Sequence, residues 1–466
     1  MDKRENILGT ESIGKLLLKY SVPAIIGMMV NALYNVVDRI FIGNMPGVGP
    51  MAITGLGVTM PVMTIITAFG TLVGVGAATN ISIKLGQGKR DKAERILGNA
   101  FTLATIIGIT LAIVGTIFLY EILMVFGASN ETVGYAKSYL NTILIGTVFN
   151  LMSMMFSNLV RGDGSPKLSA TIMAVGCVTN IILDALFIFG FGMGIKGAAL
   201  ATVIAQGVST VLGFSYYLKG KSNVKFKKEN LKLDGVIVKT IFAIGMAPFA
   251  MQLTNSLIQV LNNTALRTHG GDLAIGAMAT ISSINMIFVM PAFGFVQAMQ
   301  PIVGFNYGAE KYDRAKKTLI ISLSAVTIIF ILGALFIQLA PDVLVGMFNK
   351  DPKLMGLTIN GLQKYALALP LIGVNIVGSN YIQSIGKAKT AMVLSLLRQV
   401  IVLIPMIMIL PRFLALDGVW FAQPTADTIS TIITAIVLIR ETKKYSAHKK
   451  VETAEDEEEL LEEEAI

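Results

Sequence analysis

The sequence predicts an all-α membrane protein whose twelve transmembrane helices form two pseudo-symmetric bundles of six. Three observations carry this. The 466 residues are 54% hydrophobic and only 14% charged, against roughly 25% charged in an average soluble domain. Apolar stretches of about 20 residues or more recur along the chain, each long enough to cross ~30 Å of hydrocarbon as a helix that satisfies its own backbone. The second half of the chain also repeats the first. Ala52-Ile53 recurs as Ala274-Ile275, and GQGKRDKA from Gly86 as GAEKYDRA from Gly308, all displaced by 222 residues. Pro23 matches Pro248 at 225, and Gly197 matches Gly418 at 221.

The helices are expected at 12–43, 51–84, 95–127, 133–161, 166–190 and 195–218 in the first repeat, and at 236–267, 273–306, 313–348, 354–385, 388–410 and 418–440 in the second. Short Gly- and Lys-rich connections separate them. The longest, KGKSNVKFKKENLKLDG from Lys219, lies midway and divides an N-lobe (1–218) from a C-lobe (236–442), with 219–235 as a basic linker. Taking alternate loops with both terminal arms collects 29 of the 38 Lys and Arg residues, leaving 8 in the other loops and Arg398 within a span. The basic set is expected in the cytoplasm, together with both termini. The net charge of +9 then faces anionic headgroups and needs no nucleic acid. The N-terminal segment lacks the short apolar core and small-residue cleavage site of a removable leader. After Lys450 the chain becomes an acidic run, VETAEDEEELLEEEAI, so 443–466 is expected to be a disordered tail.

One stretch stands out, NIILDALFIFGFGMGIKGAALATVIAQ from Asn180. Its Asp184 lies in an apolar run with no basic neighbour within two turns, and an ionisable group in hydrocarbon marks an ion or substrate path. On the first helix Asn31, Asn35 and Asp38 share a face; on the fifth Met173, Cys177, Asn180 and Asp184 do; on the sixth Thr202, Gln206 and Ser209 do. Counting helical rise from the outer helix ends places Asp38, Asp184 and Thr202 about 7 to 11 Å below the outer surface. Two carboxylates with amide and hydroxyl oxygens suit a hard monovalent cation, and the same pair suits a shared proton.

Each residue also has a plainer reading. Asp38 can pair with its neighbour Arg39 at the mouth, and Asn180 and Thr202 can be simple interhelical hydrogen-bond partners. The repeat supplies a control: Asp38 aligns with Asn263, Asn180 with Val402, Asp184 with Met406 and Thr202 with Gln423. The second half has an acid of its own, Asp427, placed by helical rise to meet Arg398 near mid-membrane as a structural ion pair. Polar stripes on the seventh helix (Gln252, Asn255, Gln259, Asn262) and fourth helix (Asn150, Met154, Ser157) suggest a central cavity. Methionines such as Met60, Met63, Met152, Met154, Met155, Met286 and Met290 offer it a plastic wall or serve as filler. Pro23 is a candidate bend in the first helix.

The stretch PAIIGMMVNALYNVVDRIFIG from Pro23, the Asn180 stretch and the duplicated loops together resemble the multidrug and toxic compound extrusion (MATE) family, most closely its bacterial MepA-like branch, as far as about Arg440. The resemblance implies two bundles forming a V around a central cleft, in a monomer of the bacterial cytoplasmic membrane. It implies export of small organic cations or drugs in exchange for inward Na⁺ or H⁺, with no other cofactor. The family's coupling residues fall on Asp38, Asn180, Asp184 and Thr202, which would also be the Na⁺ ligands. Its bend proline falls on Pro23, and cavity residues fall on Asn31, Tyr34, Met173 and Cys177. A flippase of lipid-linked saccharides is the alternative in the same superfamily, but those usually have fourteen spans and a basic cavity. An enzyme is disfavoured by the lack of HExxH, of Gly-x-Ser-x-Gly and of any histidine in a span. An ion channel would need a filter ring.

Overall fold

The computed structural model describes the backbone of residues 3–43, 49–126, 133–219, 222–347 and 352–464, and side chains within 7–29, 59–126, 133–219, 222–255, 257–271, 273–347 and 352–443 together with Phe41. Among the described residues the chain is helical, with no strand. The side chains of Asn31, Tyr34 and Asp38 lie outside this description.

A short α1 (Lys3–Thr10) precedes α2 (Ile13–Gly43), which continues through the half-buried Pro23 without a break. Then come α3 (Gly49–Gly86), α4 (Arg90–Ile117) with a short α5 (Leu119–Val125), α6 (Val133–Ile145), α7 (Thr147–Gly162), α8 (Pro166–Ala185) and α9 (Gly194–Leu218). The second repeat runs from α10 (Gly235–Gly308) through α11 (Tyr312–Leu339), α12 (Pro341–Gly346), α13 (Pro352–Tyr365), α14 (Leu369–Ser384) and α15 (Ala388–Leu396) to α16 (Ile404–Glu464). Two of these are double spans. The helix of α10 breaks at Gly271, whose φ of 67° suits a residue with no Cβ. That of α16 breaks at Ala415, at φ 50°.

Among the described residues, eight helical segments are long and apolar enough to cross a membrane, and two bent pairs bring the set to ten. The last of the eight is two spans because of the break at Ala415, and α2 supplies the first span, so the predicted twelve are present. The repeat shows in the bends themselves: α6 meets α7 at 57° and α13 meets α14 at 53°, in equivalent positions.

The duplicated loops explain their own first residues. A Cβ on Gly86 would lie 2.0 Å from the carbonyl oxygen of Phe305, and one on Gly308 would lie 2.2 Å from that of Ile83. Gly86 and Gly308 are repeat mates, as are Ile83 and Phe305, so the two contacts are one crossing seen twice across the pseudo-twofold axis. Here α3 and the end of α10 bring backbone against backbone and join the lobes on the side of the basic loops. A strap reinforces the closure. Arg314 donates to the carbonyls of Leu8 and Glu11 at 3.1 and 2.7 Å, and Asn306 donates to Leu8 at 3.0 Å, which ties the chain start to the second lobe. Hydrogen bonding to Lys15 holds the Glu11 carboxyl below its ordinary range, with Lys19 adding to the effect.

The basic connection is a docked segment: Asn99 of α4 reaches the carbonyls of Asn230 and Lys232 at 3.3 Å and accepts from the backbone N–H of Asp234 at 2.7 Å. Lys227 pairs with Glu94 at 2.6 Å, and that hydrogen bond raises its pKa. The helix of α16 is drawn as far as Glu464. Its Glu, Leu, Lys and Ala are good helix formers, and neither Gly nor Pro follows Pro424.

Candidate functional site

A cavity of about 640 Å³ lies between the lobes and reaches deep into the first one. Its first-lobe wall is built from helical spacing. On α3 Met60, Met63, Thr64, Thr67, Thr71 and Val75 follow one face; on α7 Asn150, Ser153, Met154, Ser157, Asn158 and Arg161 do the same. Predicted residues Met173, Cys177 and Asn180 of α8 and Thr202 of α9 also line it, while the second lobe contributes Gln252, Gln297, Gln300, Asn380 and Gln383. Of the methionines singled out, Met60, Met63 and Met154 face the cavity, Met152 and Met155 are buried in the core, and Met286 is exposed.

Asn180, Asp184 and Thr202 meet where α8 packs against α9, and Asp184 is fully buried. With its amide nitrogen toward the carboxylate, Asn180 donates to Oδ2 of Asp184 at 2.8 Å, while its Oδ1 lies 3.2 Å from both the hydroxyl and the backbone N–H of Thr202. The opposite orientation would set two acceptors against each other. The Thr202 hydroxyl also reaches the carbonyl of Ala198 at 3.1 Å. Asn180 and Thr202 line the cavity and Asp184 stands behind them, so the amide separates carboxylate from cavity. Directly after Asp184 the helix widens into a π turn over Leu186–Gly190, a feature that often accompanies functional sites. These three oxygen-bearing side chains fit a monovalent cation in kind, but a cation ligated by both Asn180 and Asp184 requires the amide to turn its oxygen toward the carboxylate.

The second lobe uses its acid differently. Arg398, on a π-helical segment over Leu397–Leu403, donates from Nε to Oδ1 of Asp427 at 2.7 Å. Gln423 donates to both carboxylate oxygens at 3.1 Å, and Asp427 is 1% exposed. The neighbouring Gln399 donates to Asn255 at 2.8 Å. The predicted ion pair is therefore formed.

Sequence reasoning missed the inner end of the cavity. Charge counting groups Arg161 with the basic loops, yet it is 7% exposed and lines the cavity. The signal was present: Asn150, Ser157, Asn158 and Arg161 continue one helical face. Its repeat mate is Gln383, and Asn158 is matched by Asn380, so the two lobes supply equivalent polar pairs to the cavity floor.

Two bent-helix repeats around a polar cavity define a polytopic membrane protein of the transporter kind. The MatE family profile matches residues 23–186 and 248–409, one segment in each repeat, and the chain belongs to that family. It is 25% identical over 427 residues to the Multidrug export protein MepA of Staphylococcus haemolyticus, covering 92% of this chain and 93% of that protein. Among solved structures, the MATE multidrug transporter DinF-BH, in complex with a ligand, is 38% identical, with a TM-score of 0.86 over 94% of this chain and 98% of that one. A MATE family multidrug resistance transporter in an outward-facing conformation matches in fold, with a TM-score of 0.89 at 22% identity over 96% and 99% of the two chains.

Proposed function

We propose that this chain is a secondary active multidrug efflux antiporter of the bacterial cytoplasmic membrane. It exports organic, mostly cationic compounds in exchange for inward Na⁺ or H⁺, as a monomer with both termini in the cytoplasm and lobes at 1–218 and 236–442. The observation that carries the reading is the cavity of about 640 Å³ with the Asn180–Asp184–Thr202 cluster in its wall. That volume suits a drug-sized ligand, and the mixed Met, Thr and amide lining suits varied ligands. Asp38 completes the proposed coupling set, Asn31 and Tyr34 the substrate surface, and Pro23 is the proposed bend. With the basic loops inside, the crossing at Gly86 and Gly308 closes the cytoplasmic side, which corresponds to an outward-facing state.

Coupling follows from the amide between cavity and carboxylate. A cation or proton taken up at Asp184 favours one orientation of Asn180, and a cationic ligand in the cavity favours the ionised carboxylate, so the two compete. One inward monovalent charge gains about 2.3 kcal/mol per 100 mV, roughly a fiftyfold bias. A lipid-linked saccharide flippase would need several basic groups for a pyrophosphate, whereas the described cavity lining holds one. The test is ethidium efflux from proteoliposomes with Na⁺ and pH gradients imposed separately. Asp184→Asn is expected to abolish gradient-driven efflux; a variant exporting at the wild-type rate would remove Asp184 from the coupling site.

A further inference from the structure

Arg161 is the one charged side chain among the described residues that line the cavity. It is 7% exposed, forms no ion pair with any described carboxylate, and approaches Ser169 only distantly, with Nη2 at 3.5 Å from Oγ. That serine donates to the carbonyl of Ser157 at 2.7 Å, which leaves its oxygen as one long, neutral acceptor for the guanidinium. Removing a guanidinium from water is costly unless the protein replaces its hydration. Its place in the last turn of α7 offsets only a small part of that cost. The charge is thus undercompensated by the protein and directed at a space large enough for a ligand. Around it stand further polar groups: Asn158 and Gln300 line the same inner recess, and Gln300 donates to Asn380 at 3.1 Å.

We infer that Arg161, with Ser157, Asn158 and Ser169 around it, is an anion subsite that receives a carboxylate carried by an amphiphilic substrate. The cavity then has two poles. Along α8 the eleven residue steps from Ser169, beside Arg161, to Asn180, beside Asp184, span about 16 Å of helical rise, so an aromatic zwitterion can address both ends at once. A planar guanidinium takes a carboxylate by two parallel N–H···O bonds. This inference rests on the efflux reading for the direction of transport, but not for binding itself.

The probes are rhodamine B, a xanthene cation with a free carboxylate, and its ethyl ester, which keeps the cation and lacks the anion. Binding to the detergent-solubilised full chain is read by fluorescence polarisation at fixed ionic strength. Arg161→Gln is expected to weaken rhodamine B about tenfold or more, the size of one charge-assisted contact, and the ester less than about twofold; Arg161→Lys should recover part of the loss. Equal weakening of both dyes, or of neither, overturns the proposal. Should Arg161→Gln fail to fold, the wild type decides: benzoate should displace rhodamine B in preference to the ester, and displacement without preference overturns the subsite. Ester binding with no Arg161-dependent preference sinks this proposal alone, whereas a wild type that binds neither dye overturns the multidrug reading as well.

Discussion

The two lobes place an acid on equivalent helix pairs and treat it in opposite ways. In the first, Asp184 on α8 is met by the amide of Asn180, with Thr202 of α9 behind it, and cavity-lining side chains lead to it. In the second, Asp427 on α16 is locked by Arg398 and Gln423. An acid held by an amide is not neutralised, because the amide carries no charge and can turn, whereas a guanidinium cannot change sign. An acid locked to arginine is neutralised and becomes part of the frame. On the proposed coupling, the first lobe does the work and the second supports it.

The largest effect that can break this contrast is on stability. Asp427→Ala removes one partner of a buried pair and leaves Arg398 uncompensated, which costs about 3–5 kcal/mol. Thermal unfolding in detergent should report a large loss, and the double replacement Arg398→Met with Asp427→Leu should regain most of it, because it leaves no orphaned charge. Asp184→Asn should do the reverse, sparing stability while removing coupled efflux. If Asp427→Ala folds as well as the wild type yet stops transport, the roles given to the two lobes are exchanged.

A smaller effect sharpens the comparison at the contact between the lobes. Gly308→Ala puts a Cβ 2.2 Å from the backbone oxygen of Ile83, and overpacking of this kind costs about 1–3 kcal/mol. Because the contact closes only the side of the basic loops, the cost falls on the state in which that side is shut. Cys177, the single cysteine, lines the cavity and reports access. In oriented vesicles a membrane-impermeant maleimide added on that side should label Cys177 faster in Gly308→Ala than in the wild type. Unchanged labelling would mean that the crossing does not gate the cavity.

Why the sequence read well in some places and poorly in others follows from what each residue answers to. The twelve spans were legible because lipid imposes length and hydropathy on every one, and the twofold plan because both repeats kept GQGKRDKA and GAEKYDRA. The pairing of Arg398 with Asp427 was legible because a charge within a span must find a partner at its own depth. Gly86 and Gly308 were visible as motif residues, but their purpose, a backbone crossing between lobes, exists only in three dimensions. Arg161 was misplaced because charge counting assigns every arginine near a helix end to a loop, whereas its helical face pointed inward.

The smallest expected effect tests whether burial decides what an ion pair is worth in this molecule. Lys227 and Glu94 are closer, at 2.6 Å, than Arg398 and Asp427 at 2.7 Å. Both acids are buried, but the Lys227 side chain is 46% exposed against 19% for Arg398. Water screens the first pair, and exposed pairs contribute about 0–1 kcal/mol, so Lys227→Ala should shift the unfolding midpoint far less than Asp427→Ala. The connecting segment should also stay docked, since Asn99 holds it through three hydrogen bonds to backbone groups. Limited proteolysis of residues 222–235 provides the check: faster cleavage in Asn99→Ala and unchanged cleavage in Lys227→Ala is the expected pattern. The reverse pattern would show that charge, and not the asparagine, fastens the two halves of the chain together.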